Sequence, residues 1–363
     1  TRRYPKGYKN LPPRTGTLPD IEHFDKDFFR FNAKQVDKMD IGIRLLLEVT
    51  QEALMDARLD IDALRGSNTG VYVGHCFSDY LGQTSRDKIL TGYELVNGAH
   101  TMAANKLSFF YDLRGPSMVY DTACSSSLVA MNAAVRDLRT GVIDRAIVSG
   151  VSITLDPAKN AMFNAFTMLS PDGACYAFDE RANGYCRSEG IATIILERDD
   201  VCPEGNGICC ILGTSVNSDG FKTKGITYPS GAQQHVNASM AFDQAGVLPD
   251  SIGYIEAHGT GTTAGDAQEL AGFTRMFYGT DGATARHIPI GSVKSNMGHA
   301  EGASGLMSVI KCLIMYENHQ LYPNANFVST AHQQILDGYF HVVQETTEWN
   351  PTNVCISNYG FGG

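Results

Sequence analysis

Apolar positions in this chain fall into short runs punctuated by glycine-bearing turns, and the spacing within the runs alternates between helix-like and strand-like. Residues 41–54 carry apolar side chains at helical intervals, and Val71-Tyr72-Val73 follows the turn at 66–70 as a short strand. The spacing predicts one helix over 95–110, in which Ala99, Ala103 and Ala104 allow close approach. The turn at 112–116 leads into a strand ending at Tyr120, then a turn of small residues, an alanine-rich helix over 126–138 and a strand over 146–151. A further strand over 191–196 precedes a polar turn at 199–206. From Gly207 the order starts again: a strand over 208–216, a helix over 233–245, strands over 252–257 and 288–291, a small-residue helix over 302–315, and closing strands near 340–344 and 353–357. Strand, helix, strand in this order implies an α/β architecture with buried strands. Because the second half repeats the coarse order of the first, two similar α/β halves sharing one core are expected. The helices beginning near 126 and near 302 have side chains small enough to pack closely.

Composition narrows the class. A chain of 363 residues with 43% apolar content can bury a large core, as one large domain or two intimate ones. The formal charge of −10 argues against a general nucleic-acid or anionic-membrane surface, and neither a secretory signal nor an apolar run of membrane-spanning length is present. Nine cysteines are scattered without CxxC pairs or zinc-site spacing, so no metal is expected; an odd number of free thiols favours a reducing, cytoplasmic compartment. Residues 1–30, with Arg2, Arg3, Lys6, Lys9 and Arg14 among prolines and aromatics, read as an irregular basic segment lying over the surface. The chain starts without Met and stops on the glycine-rich Tyr359-Gly360-Phe361-Gly362-Gly363, so it is expected to be a fragment of a longer polypeptide, with a first and a final strand missing.

Candidate chemistry sits at the junctions. Asp121-Thr122-Ala123-Cys124-Ser125 places Cys124 near the start of the alanine-rich helix, where unpaired N–H groups and the peptide dipoles are expected to lower the pKa of a thiol that attacks a carbonyl. Glu256-Ala257-His258-Gly259-Thr260-Gly261-Thr262 sets a histidine just past a strand, in a loop of small residues that can approach a substrate. Lys294-Ser295-Asn296-Met297-Gly298-His299 follows another short strand. Each alone suits an ordinary buried thiol or loop histidine. Four such groups at strand-to-helix or strand-to-loop junctions point to an active site, since α/β sites collect there.

These three motifs, with Gly360-Phe361-Gly362-Gly363, resemble the signatures of the β-ketoacyl synthases in order and spacing over essentially the whole chain. The resemblance implies a thiolase-like αβαβα fold of two topologically similar halves, about 1–198 and 207–363, forming a single ketosynthase domain cut from a multidomain synthase. A homodimer with active sites near its interface is implied as well. Tyr4-Pro5, the segment 11–16, Asn105 to Tyr111 and Tyr228-Pro229-Ser230-Gly231 are similar to the ketosynthase of animal type I fatty acid synthase or an animal polyketide synthase related to it.

By that resemblance Cys124 takes an acyl group from a phosphopantetheine thioester on acyl carrier protein, and the backbone N–H groups of Cys124 and Phe361 hold the oxyanion. His258 and His299 face a malonyl- or methylmalonyl-type thioester and hold the enolate left by decarboxylation; whether one of them also moves a proton stays open. Lys294 is expected to polarise the pocket, with Glu301 as its partner. Tyr359 and Phe361 flank the acyl pocket as gates, and His75, Cys76, Phe77, Met168 and the loop 219–228 are candidate pocket or entrance positions. Asp40-Ile41-Gly42 departs from the family's Asp-Pro-Gln and is expected to loosen a turn. No cofactor is expected in the domain itself, and an acyltransferase and other synthase domains are expected as neighbours. A non-catalytic dimerisation module is the alternative from another class, and within the enzyme reading fatty acid and polyketide synthesis stay open.

Overall fold

The computed structural model describes residues 10–84, 90–203, 205–279 and 286–363; Tyr4-Pro5 and the basic Arg2, Arg3, Lys6 and Lys9 lie outside the described residues. Helix α1 (Ile41–Asp56) starts where the Asp40 carboxylate accepts the Gly42 N–H at 2.8 Å. A side-chain cap thus holds the turn that the missing proline was expected to loosen. Strands β1 (Gly70–His75), β2 (Ser117–Tyr120), β3 (Arg145–Ser152) and β4 (Gly190–Glu197) form one sheet in the order β2-β1-β3-β4. β1 runs parallel to both β2 and β3, and β4 closes the edge antiparallel to β3.

A second sheet, entirely parallel, has the order β10-β5-β6-β8 and is built from β5 (Ile252–Glu256), β6 (Ile288–Gly291), β8 (Phe340–Val342) and β10 (Asn353–Ile356). The two-residue strands β7 (Gln320–Leu321) and β9 (Thr347–Glu348) pair separately.

Three helical layers separate and cover the sheets. On one outer face Ile43, Leu46, Leu47 and Leu54 of α1, with Leu107 of α2 (Met102–Tyr111), bury Val71, Val73, Ile147 and Val151. Between the sheets lie α3 (Ser126–Arg139) and α6 (Ser304–Asn318), where Ala130, Ala134, Leu306 and Val309 meet the first sheet and Cys312 and Met315 meet the second. On the far face Phe242 of α4 (Gly231–Ala245) and Leu270, Phe273 and Phe277 of α5 (Thr263–Tyr278) cover Ile255, Ile290 and Phe340. The result is the five-layered αβαβα thiolase-like arrangement expected from the sequence. It depends on small residues between the sheets: a Cβ on Gly74 of β1 would stand 2.4 Å from the Ser127 backbone N and 2.5 Å from its Cα.

Four local readings differ. The single helix expected over 95–110 is two, Tyr93–Gly98 and α2, with Ala99 extended between them. The Asn97 carbonyl is taken by the Asp40 N–H at 2.9 Å, and Gly98 lies where a Cβ would meet the Tyr80 ring at 2.2 Å, so tertiary contacts break the helix there. The segment 208–216 forms no strand. Among the described residues β10 pairs only with β5, and a cavity of about 470 Å³, lined by Ile211, Val216, Val354 and Ile356, separates it from that segment. Helix α5 escaped the sequence reading because its apolar face follows directly on the small-residue loop 257–262. Finally, the described part of the basic segment is stitched down: Leu11, Ile21 and Phe29 are buried, and the Gly16 N–H donates to the Arg187 carbonyl at 3.0 Å. No helix among the described residues is long and apolar enough to cross a membrane.

The contact between β1 and α3 sets a test. Gly74→Ala places a methyl against backbone that cannot rotate away, and overpacking of this kind costs about 1–3 kcal/mol. Urea denaturation of the variant is expected to show that loss; a midpoint equal to that of the parent would show that the two elements have slack.

Candidate active site

Cys124 lies in the turn before α3, buried, with Ala123 ahead of it in a left-handed conformation (φ 53°). Ser126 fixes the turn, accepting the Thr122 N–H at 2.9 Å and donating to the Ala123 carbonyl at 2.6 Å. From α6 the Ser304 hydroxyl donates to the Cys124 carbonyl at 3.3 Å. The two central helices therefore hold the thiol between them.

The expected groups converge here. His258 follows β5, His299 precedes α6, and their rings stand 5.4 Å apart at 86°. The His258 loop is anchored by Glu269 of α5, whose oxygens accept the N–H groups of His258 and Gly259, each at 2.8 Å. Gly261 has φ 78°, and a Cβ there would lie 2.5 Å from the Tyr176 N, so the loop requires glycine at that point. Each imidazole has its Nδ1 occupied as an acceptor: Tyr359 N–H donates to His258 at 3.3 Å, and Glu301 N–H to His299 at 3.1 Å. Neutral rings so held carry their proton on Nε2. Burial keeps them neutral, with Lys294 adding to the effect on His258; the pKa of His258 falls well below its ordinary value and that of His299 falls to about 4.

Glu301 departs from its expected partner. Its Oε1 accepts from Arg187 Nε at 2.9 Å, and its Oε2 accepts from the Cys124 thiol at 3.4 Å. Lys294 is fully buried, and its Nζ makes no hydrogen bond among the described residues. Burial lowers the Lys294 pKa, while the charges of Glu256 and Glu269 oppose that shift. The lysine is thus matched by the field of those two carboxylates, and the arginine holds Glu301. Burial would raise the Glu301 carboxyl, but His299 and Arg187 bring it below its usual range.

The thiol differs from its sequence-based expectation in the same way. Burial first, and then the Glu301 charge, push Cys124 well above the ordinary thiol value. At rest the group is a thiol, despite the helix start behind it. Cys124, His299 and Glu301 bring donor atoms within 4.8 Å of one another. They do not fit a metal ion: the Nδ1 lone pair of His299 is used by a backbone N–H, one Glu301 oxygen is held by Arg187, and Arg187 and Lys294 already supply positive charge.

The candidate gate residues border this cluster from outside. Phe361 is 44% exposed and stacks on Phe77 at 6.3 Å, and Phe77 meets Phe163 at 5.6 Å. Phe77 holds a left-handed backbone (φ 58°), an uncommon conformation for a bulky residue. Tyr359 packs on His258 at 5.7 Å, Gly362 accepts the Asp219 N–H at 3.0 Å, and His75 stacks on His100 at 4.6 Å. Sequence reasoning missed Arg187 and Glu269. Neither carries a motif of its own: Arg187 stands two residues before Glu189, and Glu269 follows Asp266 and Gln268, so nothing local marks them out.

Two family descriptions match this chain: "Beta-ketoacyl synthase, N-terminal domain" over residues 5–201 and "Beta-ketoacyl synthase, C-terminal domain" over 208–328. Among curated proteins it is 42% identical over 318 residues to a fatty acid synthase of Anser anser anser, covering 87% of this chain and 89% of that one. It is 40% identical over 354 residues to a phenolphthiocerol/phthiocerol polyketide synthase of Mycobacterium tuberculosis, covering 95% of this chain and 19% of that one. Among solved structures, the ketosynthase from module 6 of the bacillaene synthase from Bacillus subtilis 168 superposes with a TM-score of 0.87 at 34% identity, over 95% of this chain and 61% of that one. The oxazolomycin ketosynthase domain of Streptomyces albus JA3453 gives 0.89 at 32% identity, over 98% and 64%.

The buried neutral imidazole of His299 has a consequence for stability. Unfolded, it binds a proton near 6.5; folded, only near 4, so its contribution is complete above 6.5 and is lost as the pH falls through 4. That interval corresponds to roughly 3 kcal/mol. Asp266, raised to about 7 by burial, pulls the other way, which makes a difference measurement the right one. His299→Asn, which keeps an acceptor for the Glu301 N–H, is expected to lose less stability than the parent between pH 6.5 and 4 in urea titrations. Equal losses would mean that the ring is not held neutral.

Proposed function

The chain belongs to the β-ketoacyl synthase family, and on that premise we propose that it forms a carbon–carbon bond by acyl transfer to Cys124 followed by decarboxylative Claisen condensation. The observation that carries this reading is the convergence of one buried thiol and two imidazoles, each fixed as an Nε2–H donor. The acyl group arrives as a phosphopantetheine thioester on an acyl carrier protein. The Cys124 sulfur attacks its carbonyl, and the oxyanion that forms is held by the backbone N–H groups of Cys124 and Phe361. Collapse leaves an acyl-cysteine and frees the carrier thiol.

A malonyl- or methylmalonyl-carrier thioester then enters. Loss of its carboxylate as carbon dioxide leaves an enolate, whose oxygen takes the two Nε2–H groups of His258 and His299. Neutral donors suit this task, since a proton moved outright to the enolate would quench the carbanion before it attacked. The enolate carbon attacks the acyl-Cys124 thioester and releases a β-ketoacyl product. Lys294 contributes a buried positive charge that helps to keep both rings neutral. Phe361 and Tyr359, with Phe77 and Phe163, flank the path of the acyl chain.

We further infer a homodimer, neighbouring synthase domains and a cytoplasmic setting. The relatives include both a fatty acid synthase and a polyketide synthase, and the proposed condensation at Cys124 suits either product class. A non-catalytic dimerisation module would need neither a buried thiol against a carboxylate nor a lysine buried without a hydrogen bond.

Incubation with an acyl thioester is expected to add one acyl mass to the chain by intact-mass analysis and none to Cys124→Ala; labelling of that variant would remove the nucleophile assignment. His299→Ala is expected to slow carbon dioxide release from malonyl-carrier protein by about 100-fold, the scale of losing one donor to a developing oxyanion. Release at the parent rate would free His299 of the enolate role.

A further inference from the structure

We propose that Glu301 is the base that receives the Cys124 proton during acyl transfer. The inference rests on the reading of Cys124 as the acyl acceptor and assigns the fate of a proton that this reading leaves open. The need for a base follows from the geometry of the resting thiol. It is buried, and its hydrogen bond runs from Sγ to Glu301 Oε2 at 3.4 Å.

The other candidates lack a free lone pair in the right place. His258 and His299 use Nδ1 to accept backbone N–H groups and carry their proton on Nε2, so neither neutral ring can accept another. Lys294 Nζ makes no hydrogen bond among the described residues, so it does not meet the sulfur. Cys76 and Tyr185, the other acidic groups whose fields reach this cluster, are both held protonated by burial. Among the described residues, Glu301 is the group that sets a carboxylate oxygen against the sulfur. Its other oxygen is fixed by Arg187 at 2.9 Å, and Arg187 is held in turn by Asn160 and by the face of Phe163 at 4.9 Å.

The step balances without any added reagent. As the Sγ–carbon bond forms, the sulfur becomes a much stronger acid and its proton passes to Glu301 Oε2, while the thioester carbonyl takes up the electron pair as an oxyanion. As the oxyanion collapses, the carbon–sulfur bond to phosphopantetheine breaks. The departing sulfur then takes the proton back from Glu301, which returns to a carboxylate. The low resting basicity of Glu301 suits a transfer made only when the sulfur is being acylated, since it leaves the cysteine a thiol until a thioester is present. The groups facing the pair are Arg187, the neutral His299, Lys294, Cys76 and, beyond Arg187, Asp79; Arg187, by its charge and its hydrogen bond, keeps Glu301 ionised through the neutral range.

The test is the pH dependence of Cys124 acylation by an acyl N-acetylcysteamine thioester, followed by intact mass, in the parent chain and in Glu301→Gln. The parent is expected to acylate at a rate independent of pH across the neutral range. The variant is expected to be slower by about 100-fold or more at pH 7, the lower range for a lost general base, and to gain tenfold in rate per pH unit as thiolate forms. A variant slowed by one factor at every pH, with the profile unchanged, would reduce Glu301 to packing and overturn the proposal. So would a variant that keeps the parent rate. If Glu301→Gln does not fold, the solvent deuterium effect on the parent decides: a normal effect places the proton in flight, and an inverse one means a preformed thiolate and no base. A parent chain that is not acylated at all, while carrying a free Cys124, would instead refute the acyl-transfer reading beneath.

Discussion

Two small-residue helices meeting face to face between two sheets govern everything else in this molecule. α3 and α6 approach until Ser127 Oγ accepts the Leu306 N–H at 3.2 Å and Ser304 donates to the Cys124 carbonyl at 3.3 Å. Large side chains at Ser127, Ala130, Gly305 or Ser308 would push the sheets apart and separate the segments that precede the helices. Those segments carry Cys124 on one side and His299 and Glu301 on the other. A packing constraint deep in the core therefore sets the distance between Cys124 and the groups opposite it.

The electrostatics follow from that burial. Arg187, Glu256, Glu269, Lys294, Glu301 and Lys311 are all buried, and charges taken out of water at such density destabilise a fold unless each is matched. Lys311 meets Glu256 at 2.7 Å, Arg187 meets Glu301 at 2.9 Å, and Glu269 directs its charge at two N–H groups of the His258 loop. Lys294 stands apart, offset by the field of two carboxylates and, among the described residues, by no direct bond. What this arrangement secures is orientation. Both imidazoles are locked into one tautomer by backbone N–H groups, and burial first, then the field of the buried cations, keeps them neutral.

How much of this the sequence disclosed depended on whether a feature was local. The strand-turn-helix patterns around 117–139 and 145–152 are carried by apolar runs and small residues within one window, and the structure places β2, α3 and β3 within a residue or two of expectation. The break at Ala99 was invisible, because it is set by Asp40 and Tyr80, far away in the chain. The segment 208–216 has the apolar pattern of a strand, but a strand is defined by its neighbour, and the cavity beside β10 holds none. At the site, Cys124, His258, Lys294 and His299 announced themselves by their motifs. The exchange of Lys294 for Arg187 as the partner of Glu301 did not, since a run of letters shows which charges exist and not which oxygen faces which nitrogen.

That exchange alters what the start of α3 is for. If Cys124 were a resting thiolate, the dipole at the start of α3 would stabilise the sulfur, and stabilising a nucleophile before the reaction weakens its attack. Burial reverses the balance, and a carboxylate 3.4 Å from the sulfur reinforces it, so that the resting group is uncharged. In the proposed reaction the helix start then faces no anion until a carbonyl oxygen becomes one. In that proposed reaction its field acts on the transition state and not on the ground state, which is the condition under which a preorganised dipole accelerates a reaction. In the proposed reaction the glutamate and the helix start thus oppose each other at the resting sulfur and act together as the bond forms, one taking the proton and the other facing the oxyanion.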